Sequence, residues 1–336
     1  MKNIKKIGLS ALAGALAMTS AHAGALSVAG SMEISYTKGG GYQTDGNPWG
    51  QANDLTFTAS TELDNGVTVD YKRTTTDTAF FDDSELKFGN IAGGTIAMTS
   101  TGTPIGDIDD VTPTAFEEAN AQLGSITTVG GANGDFGIRY TLSDIIGSGW
   151  KLDMMYIPQH GTAGTTGDQA TSGAVANNEE AKSVALTGTV PGVDGLSIGF
   201  GAATKNYDIK TTTGNPSQEQ AEGTAYIKYA VGPVTVGAQH AHVSASGLGN
   251  ATYDNSMYGI SYAVSDDLSI SYNRLESRKG QHDSYVGGQD QDFDSISISY
   301  SMGGMTLGIA DADCSNCSYS KGRSIDETTV SLSVAF

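Results

Sequence analysis

About sixteen times along the chain, a stretch of roughly eight to eleven residues carries apolar side chains at every second place. A period of two belongs to a β-strand with one apolar and one polar face. In the run Asp54 to Glu62, Leu55, Phe57 and Ala59 point one way while Thr56, Thr58 and Ser60 point the other. Asp64-Asn65-Gly66 follows as a tight hairpin turn. The expected strands are 28–36, 55–61, 67–73, 84–91, 95–101, 135–142, 150–157, 183–189, 196–204, 224–231, 234–242, 257–264, 268–275, 294–301, 305–310 and 328–336.

The connections between them alternate in length. Residues 64–66, 92–94, 143–149, 191–195, 232–233, 265–267 and 303–304 form short turns, and between them lie long polar loops. A soluble sandwich has no reason to put its long loops on every second connection, whereas a transmembrane barrel does. The faces fit the same reading. In lipid the apolar face meets hydrocarbon and the Ser, Thr, Gly, Asp and Lys face lines water. Sixteen strands enclose an aqueous channel rather than a packed interior, and closure leaves no sheet edge in the bilayer. Tyr and Phe recur near strand ends, as an aromatic girdle requires. The expected fold is therefore all-β, a 16-stranded antiparallel transmembrane β-barrel.

The alternation stops for some thirty residues between Thr101 and Gly131. This third long loop holds Asp107, Asp109, Asp110, Glu117 and Glu118 and no Lys or Arg. A loop this long in a compact domain is commonly functional, and it is expected to fold into the lumen. Pro113 and the sequence Thr114-Ala115-Phe116-Glu117 predict a short capped helix within it.

Residues 1–23 read as a cleaved secretory signal, with Lys2, Lys5 and Lys6 before a short apolar run and Ala21-His22-Ala23 as the cleavage site. The barrel domain is then residues 24–336. Without the three lysines, 15 basic residues face 37 acidic ones, a formal −22. That charge argues against a nucleic-acid partner, whose phosphates need Lys and Arg, and favours cations around the protein. After the signal no run of 18 apolar residues exists, so transmembrane helices are excluded.

The signal end, the strand count, the loop alternation, the acidic third loop and the terminal strand 331–336 together resemble the general porins of Gram-negative outer membranes. The resemblance covers the whole mature chain, although the third loop lacks the Pro-Glu-Phe-Gly-Gly run familiar in enteric porins. It implies a homotrimer in the outer membrane, surrounded by lipid and lipopolysaccharide, with the third loop as a constriction that small hydrophilic solutes and ions cross by passive diffusion.

A constriction selects by diameter and field. Asp107, Asp109, Asp110, Glu117 and Glu118 are the candidates for its acidic side. Strand phase puts Lys72, Lys87, Arg139, Lys151 and Lys228 opposite apolar neighbours, hence inward, as candidates for the basic side. With the acidic excess, a mild cation preference is expected. Cys314-Ser315-Asn316-Cys317 suggests a disulfide in an exported protein. His240 and His242 share a strand face near a loop end, where a solvated rim position outweighs a metal pair. No cofactor is expected, although Asp290, Asp292, Asp294, Asp311 and Asp313 have the oxygen chemistry of a structural Ca²⁺ site. No G-x-S-x-G, H-E-x-x-H or P-loop signature occurs, so an enzyme is not expected. The alternatives are a substrate-specific channel for a sugar or nutrient, and a plugged structural or adhesive barrel.

Overall fold

The structure, a computed structural model, describes residues 26–40, 47–76, 83–121, 123, 126–133, 135–145, 149–161, 178–207, 218–244, 251–281 and 290–336. Residues 1–23, expected from the sequence to be a secretory signal, lie outside these residues. Sixteen strands form one closed antiparallel barrel in which each pairs with its sequence neighbours and β1 (Ser27–Gly40) pairs with β16 (Ser324–Ala335). The remaining strands are β2 (Trp49–Glu62), β3 (Thr68–Thr76), β4 (Ser84–Ile91), β5 (Gly94–Thr99), β6 (Gly137–Ser143), β7 (Lys151–Ile157) and β8 (Asn178–Thr189). They continue as β9 (Leu196–Tyr207), β10 (Gln218–Val231), β11 (Val234–Val243), β12 (Ala251–Ala263), β13 (Leu268–Gln281), β14 (Gln291–Met302) and β15 (Met305–Ser315). Beyond the last strand pair, Gly30 and Phe336 exchange both backbone hydrogen bonds, at 2.8 and 2.9 Å. Closure leaves the sheet without a free edge strand.

The apolar face is the outer one. Phe200 is 52% exposed and Ile260 45%, and Leu55, Ile138, Ile227, Tyr258 and Leu332 behave alike. Their sequence neighbours on the other face are buried or line the lumen. Tyr229, Tyr262 and Tyr300 stand outward near the short-turn end. Ile260 sits between the outward Tyr258 and Tyr262 and so lies within the apolar band of β12. Ile260→Arg is expected to destabilise the folded barrel by about 2–4 kcal/mol, the cost of a lipid-facing cation near the midplane. Denaturant titration of refolded protein in lipid vesicles measures it.

Several strands run past their expected ends. β13 reaches Gln281 and β15 reaches Ser315, where 275 and 310 were expected, and β12 begins at Ala251 rather than 257. The reason is chemical. At the long-loop end the outward positions become polar, with Asp254, Arg274, Glu276, Arg278, Asp292, Asp294, Asp311 and Asp313. The apolar alternation ends there, while the backbone ladder continues above the hydrocarbon.

Candidate functional site

The segment between β5 and β6 runs along the inner wall from β8 to β15 and returns. Its outgoing limb is seated on inward side chains. The Ile105 amide donates to Ser183 Oγ on β8 at 3.0 Å. On β11, Gln239 holds three backbone groups: Val111 N donates to its Oε1 at 3.0 Å, and its Nε2 donates to the Ile108 and Asp109 carbonyls at 2.7 and 2.9 Å. Ala115 N and Phe116 N donate to Ser271 Oγ and Ser297 Oγ at 2.8 and 3.1 Å. Asn273 Nδ2 donates to the Pro113 carbonyl at 2.9 Å.

Glycines on four wall strands make room for this limb. A Cβ on Gly201 would meet Ile105 and Ile108, both at 2.9 Å. Gly237 and Gly259, paired across β11 and β12, would each press on Pro113. Gly308 on β15 lies under the Phe116 ring. The return limb packs Ala119 and Leu123 against Met257, Leu275, Phe293, Cys314, Cys317 and Ile325. In consequence, inner polar side chains beneath the loop are covered: Asn255 is 0% exposed and Ser297 1%. On β1 to β3, by contrast, the inner positions Thr56, Lys72 and Glu33 are not buried. The open part of the lumen lies on that side.

No helix forms at 114–117. The only helical turn in the loop, among the described residues, is the 3-10 turn Gly106–Ile108. The Thr114 hydroxyl donates to the Glu117 carbonyl at 2.8 Å instead of capping an amide. Wall serines take the amides of Ala115 and Phe116, and this tertiary seat outweighs a single capping box.

The candidate charges fall into separate groups. Asp107 pairs with Arg139 on β6 at 2.5 Å, and Arg139 also holds Asp153 at 2.9 Å. Lys151 completes that group at 2.7 Å from Asp153. Lys87 pairs with Glu85 on its own strand at 3.2 Å. Lys72 and Lys228 occupy inner positions, and neither makes an ion pair among the described residues. Arg139 is thus the one basic candidate paired with a loop carboxylate among the described residues. Half-burial raises Asp109 and Asp110 from the usual carboxylate range to about 6, with the neighbouring Glu118 charge adding to both. Glu117 is raised by burial, by Glu118, and by Glu33 from the β1 wall.

Glu33, Asp153, Gln239, Lys205 and Glu222 were not singled out from the sequence. Asp153 stands two residues from Lys151 on the same face, so strand phase could have found it. The wall glycines carry the other readable signal, since each stands where Ser or Thr is usual on the inner face.

Elsewhere, the Cys314 and Cys317 sulfurs are joined, with Cα atoms 5.7 Å apart. His242 Nδ1 lies 2.9 Å from Asp254 Oδ1, and His240 Nδ1 lies 3.1 Å from Ser256 Oγ, both on the outer face. No group of three or more His, Cys, Asp or Glu is placed to hold a metal ion among the described residues.

A closed sixteen-strand barrel, greasy outside and polar within, with a loop laid along its inner wall, defines a barrel of the outer-membrane channel class. A family model described as Gram-negative porin matches residues 8–308. The chain belongs to that family, whose place is the bacterial outer membrane. Solved structures agree on the fold. OmpT of Vibrio cholerae in its trimer form superposes with a TM-score of 0.66 at 10% identity, over 93% of this chain and 99% of that one. A Salmonella typhi OmpF gives 0.63 at 13%, over 93% and 98%. A Rh. blastica porin mutant gives 0.58 at 15%, over 93% and 100%. A search of curated proteins finds no match.

Proposed function

We propose that this porin is a passive channel for small hydrophilic solutes and ions, with a mild cation preference and no catalytic turnover or cofactor. The observation that carries the reading is the side on which the loop lies. It backs onto β8 to β15, so the water path runs past its carboxylates along β1 to β4. Glu33 adds a carboxylate from the facing wall. The pore is then lined more by acids than by an opposed pair of charged walls. Arg139 and Lys151 serve chiefly to hold Asp107 and Asp153. Assembly as a homotrimer is part of the proposal. The OmpT neighbour is a trimer, and β4 to β7 run only six to eight residues. A tilted strand needs about 9–11 residues to cross a bilayer alone, so this low wall suits burial against another copy.

Planar-bilayer recording in a KCl gradient tests the reading. Steady ohmic steps with a cation-signed reversal potential are expected at pH 7.5. Silence would leave a plugged barrel, and saturable block by one sugar class would favour a specific channel. The same recording carries a pH dependence. Asp109 and Asp110 titrate near 6, so both are ionised at pH 7.5 and mostly neutral at 5. The cation preference should decline over that interval with its midpoint near 6. The linkage to loop docking has the opposite sense. A carboxylate raised in the docked state contributes its stability fully below its unfolded value of 3.8, and loses it as pH rises through about 6. Acid therefore strengthens the seat while it discharges the pore.

A further inference from the structure

The return limb of the loop comes back to the wall at Gly130 and Gly131, opposite β9 and β10. There the inner position of β10 is Glu222, only 6% exposed. Burying a carboxylate is costly unless each oxygen finds a donor. Here each does. Oε2 accepts from Gly130 N at 2.8 Å and Gly131 N at 2.7 Å. Oε1 pairs with Lys205 Nζ at 2.6 Å, and that ammonium also donates to the Gly131 carbonyl at 3.1 Å. Gly131 has φ of +59°, a conformation that glycine adopts without strain, and a Cβ there would also meet Thr103 Oγ1 at 3.1 Å.

The same point ties the two limbs together. Thr103 Oγ1 donates to the Gly130 carbonyl at 2.7 Å and accepts from Gly106 N at 3.1 Å. Ile105 and Val129, both fully buried, seal the knot against Ala203, Ala241 and Val243. A buried ion pair adds little net stability against apolar residues of the same volume, whereas it can specify one geometry. The charges are spent on aiming two backbone amides. Among the described residues, Glu222 is the one wall acceptor that these amides have.

We infer that Glu222 is a positioning residue for the constriction: with Lys205, it fixes where the return limb leaves the wall, and so how far the loop stands into the pore. The inference rests on the channel reading and goes beyond it in naming what sets the aperture.

The test compares two double variants of the full chain, K205M/E222L and K205M/E222Q. Both remove the two charges, and they differ in whether an acceptor for the amides remains. In K205M/E222L, exchange of the Gly130 and Gly131 amides is expected to speed up by about tenfold or more, the loss of a charge-assisted pair of hydrogen bonds. Val111, Ala115 and Phe116 should stay slow. The channel should become noisier when open and pass larger sugars. In K205M/E222Q, which keeps an uncharged acceptor, the Gly130 and Gly131 amides should exchange clearly more slowly than in K205M/E222L, and the channel should stay closer to wild type. Equal exchange in the two variants, or wild-type exchange in K205M/E222L, overturns the inference. If K205M/E222L does not fold, E222D serves. Its carboxylate is one methylene short, so fast Gly130 and Gly131 amides are expected, and wild-type rates overturn the inference. Exchange needs no conduction. A wild-type protein silent in bilayers sinks the channel reading alone, and a conducting protein with unchanged amides sinks the clamp alone.

Discussion

Replacing Asp109, Asp110, Glu117 and Glu118 together by their amides is expected to cut the local enrichment of potassium about fivefold at 0.1 M salt and to leave it almost unchanged at 1 M. The size follows from Coulomb's law. A carboxylate about 8 Å from a passing ion in water contributes roughly 0.5 kcal/mol, and screening at 0.1 M halves it. Four such charges then amount to about 0.9 kcal/mol, or about a fivefold enrichment of cations. At 1 M the screening length is about 3 Å and the field is gone before it reaches the ion. Asp107 is left in place because Arg139 already neutralises it at 2.5 Å. Reversal potentials at pH 7.5, measured at both salt levels, decide the matter. An unchanged potential at 0.1 M would show that the loop acids do not face the ion path.

The second large effect is steric. In Gly259→Val the new Cβ would stand 2.6 Å from the Pro113 carbonyl oxygen and 2.8 Å from Asn273 Nδ2, the donor that now holds that carbonyl. A backbone atom cannot swing aside as a side-chain tip can, so the loop itself must shift. The wall blocks one direction, and the lumen is the other. The expected result is a lower single-channel conductance, accompanied by a loss of about 1–3 kcal/mol typical of overpacking. Gly223→Ala is the control, since a Cβ there meets nothing nearer than the Gly201 carbonyl oxygen at 3.9 Å. Equal conductance in Gly259→Val and wild type would mean that the loop is not held where Pro113 lies.

The barrel was legible because lipid imposes one rule on every strand: apolar outward, at every second residue. The rule loses force where the lipid ends, and for this reason β12, β13 and β15 exceed their expected lengths. The acids of the loop were legible as a local excess of charge in an unpatterned stretch. Their partners were not. Arg139 meets Asp107 only because Ser183 and Gln239 hold the loop on one particular side. The seat itself is spread over Gly201, Gly237, Gly259 and Gly308, far apart in sequence, and only Gly237 and Gly259 face each other across a strand pair. No local pattern announces such a set. The mistaken helix at 114–117 has a related origin: a local signal weighs Thr114 against its own neighbours and cannot see Ser271 and Ser297 arriving from the far side of the barrel.

With the loop laid along β8 to β15, the cylinder is double-walled over half its girth and single-walled over the rest. A change to a lining residue on the thin half, at Thr58 or Lys72, meets the passing solute directly. A change behind the loop has to move a second layer first. The channel's chemistry and its bore can therefore be retuned independently, from opposite sides of the same ring.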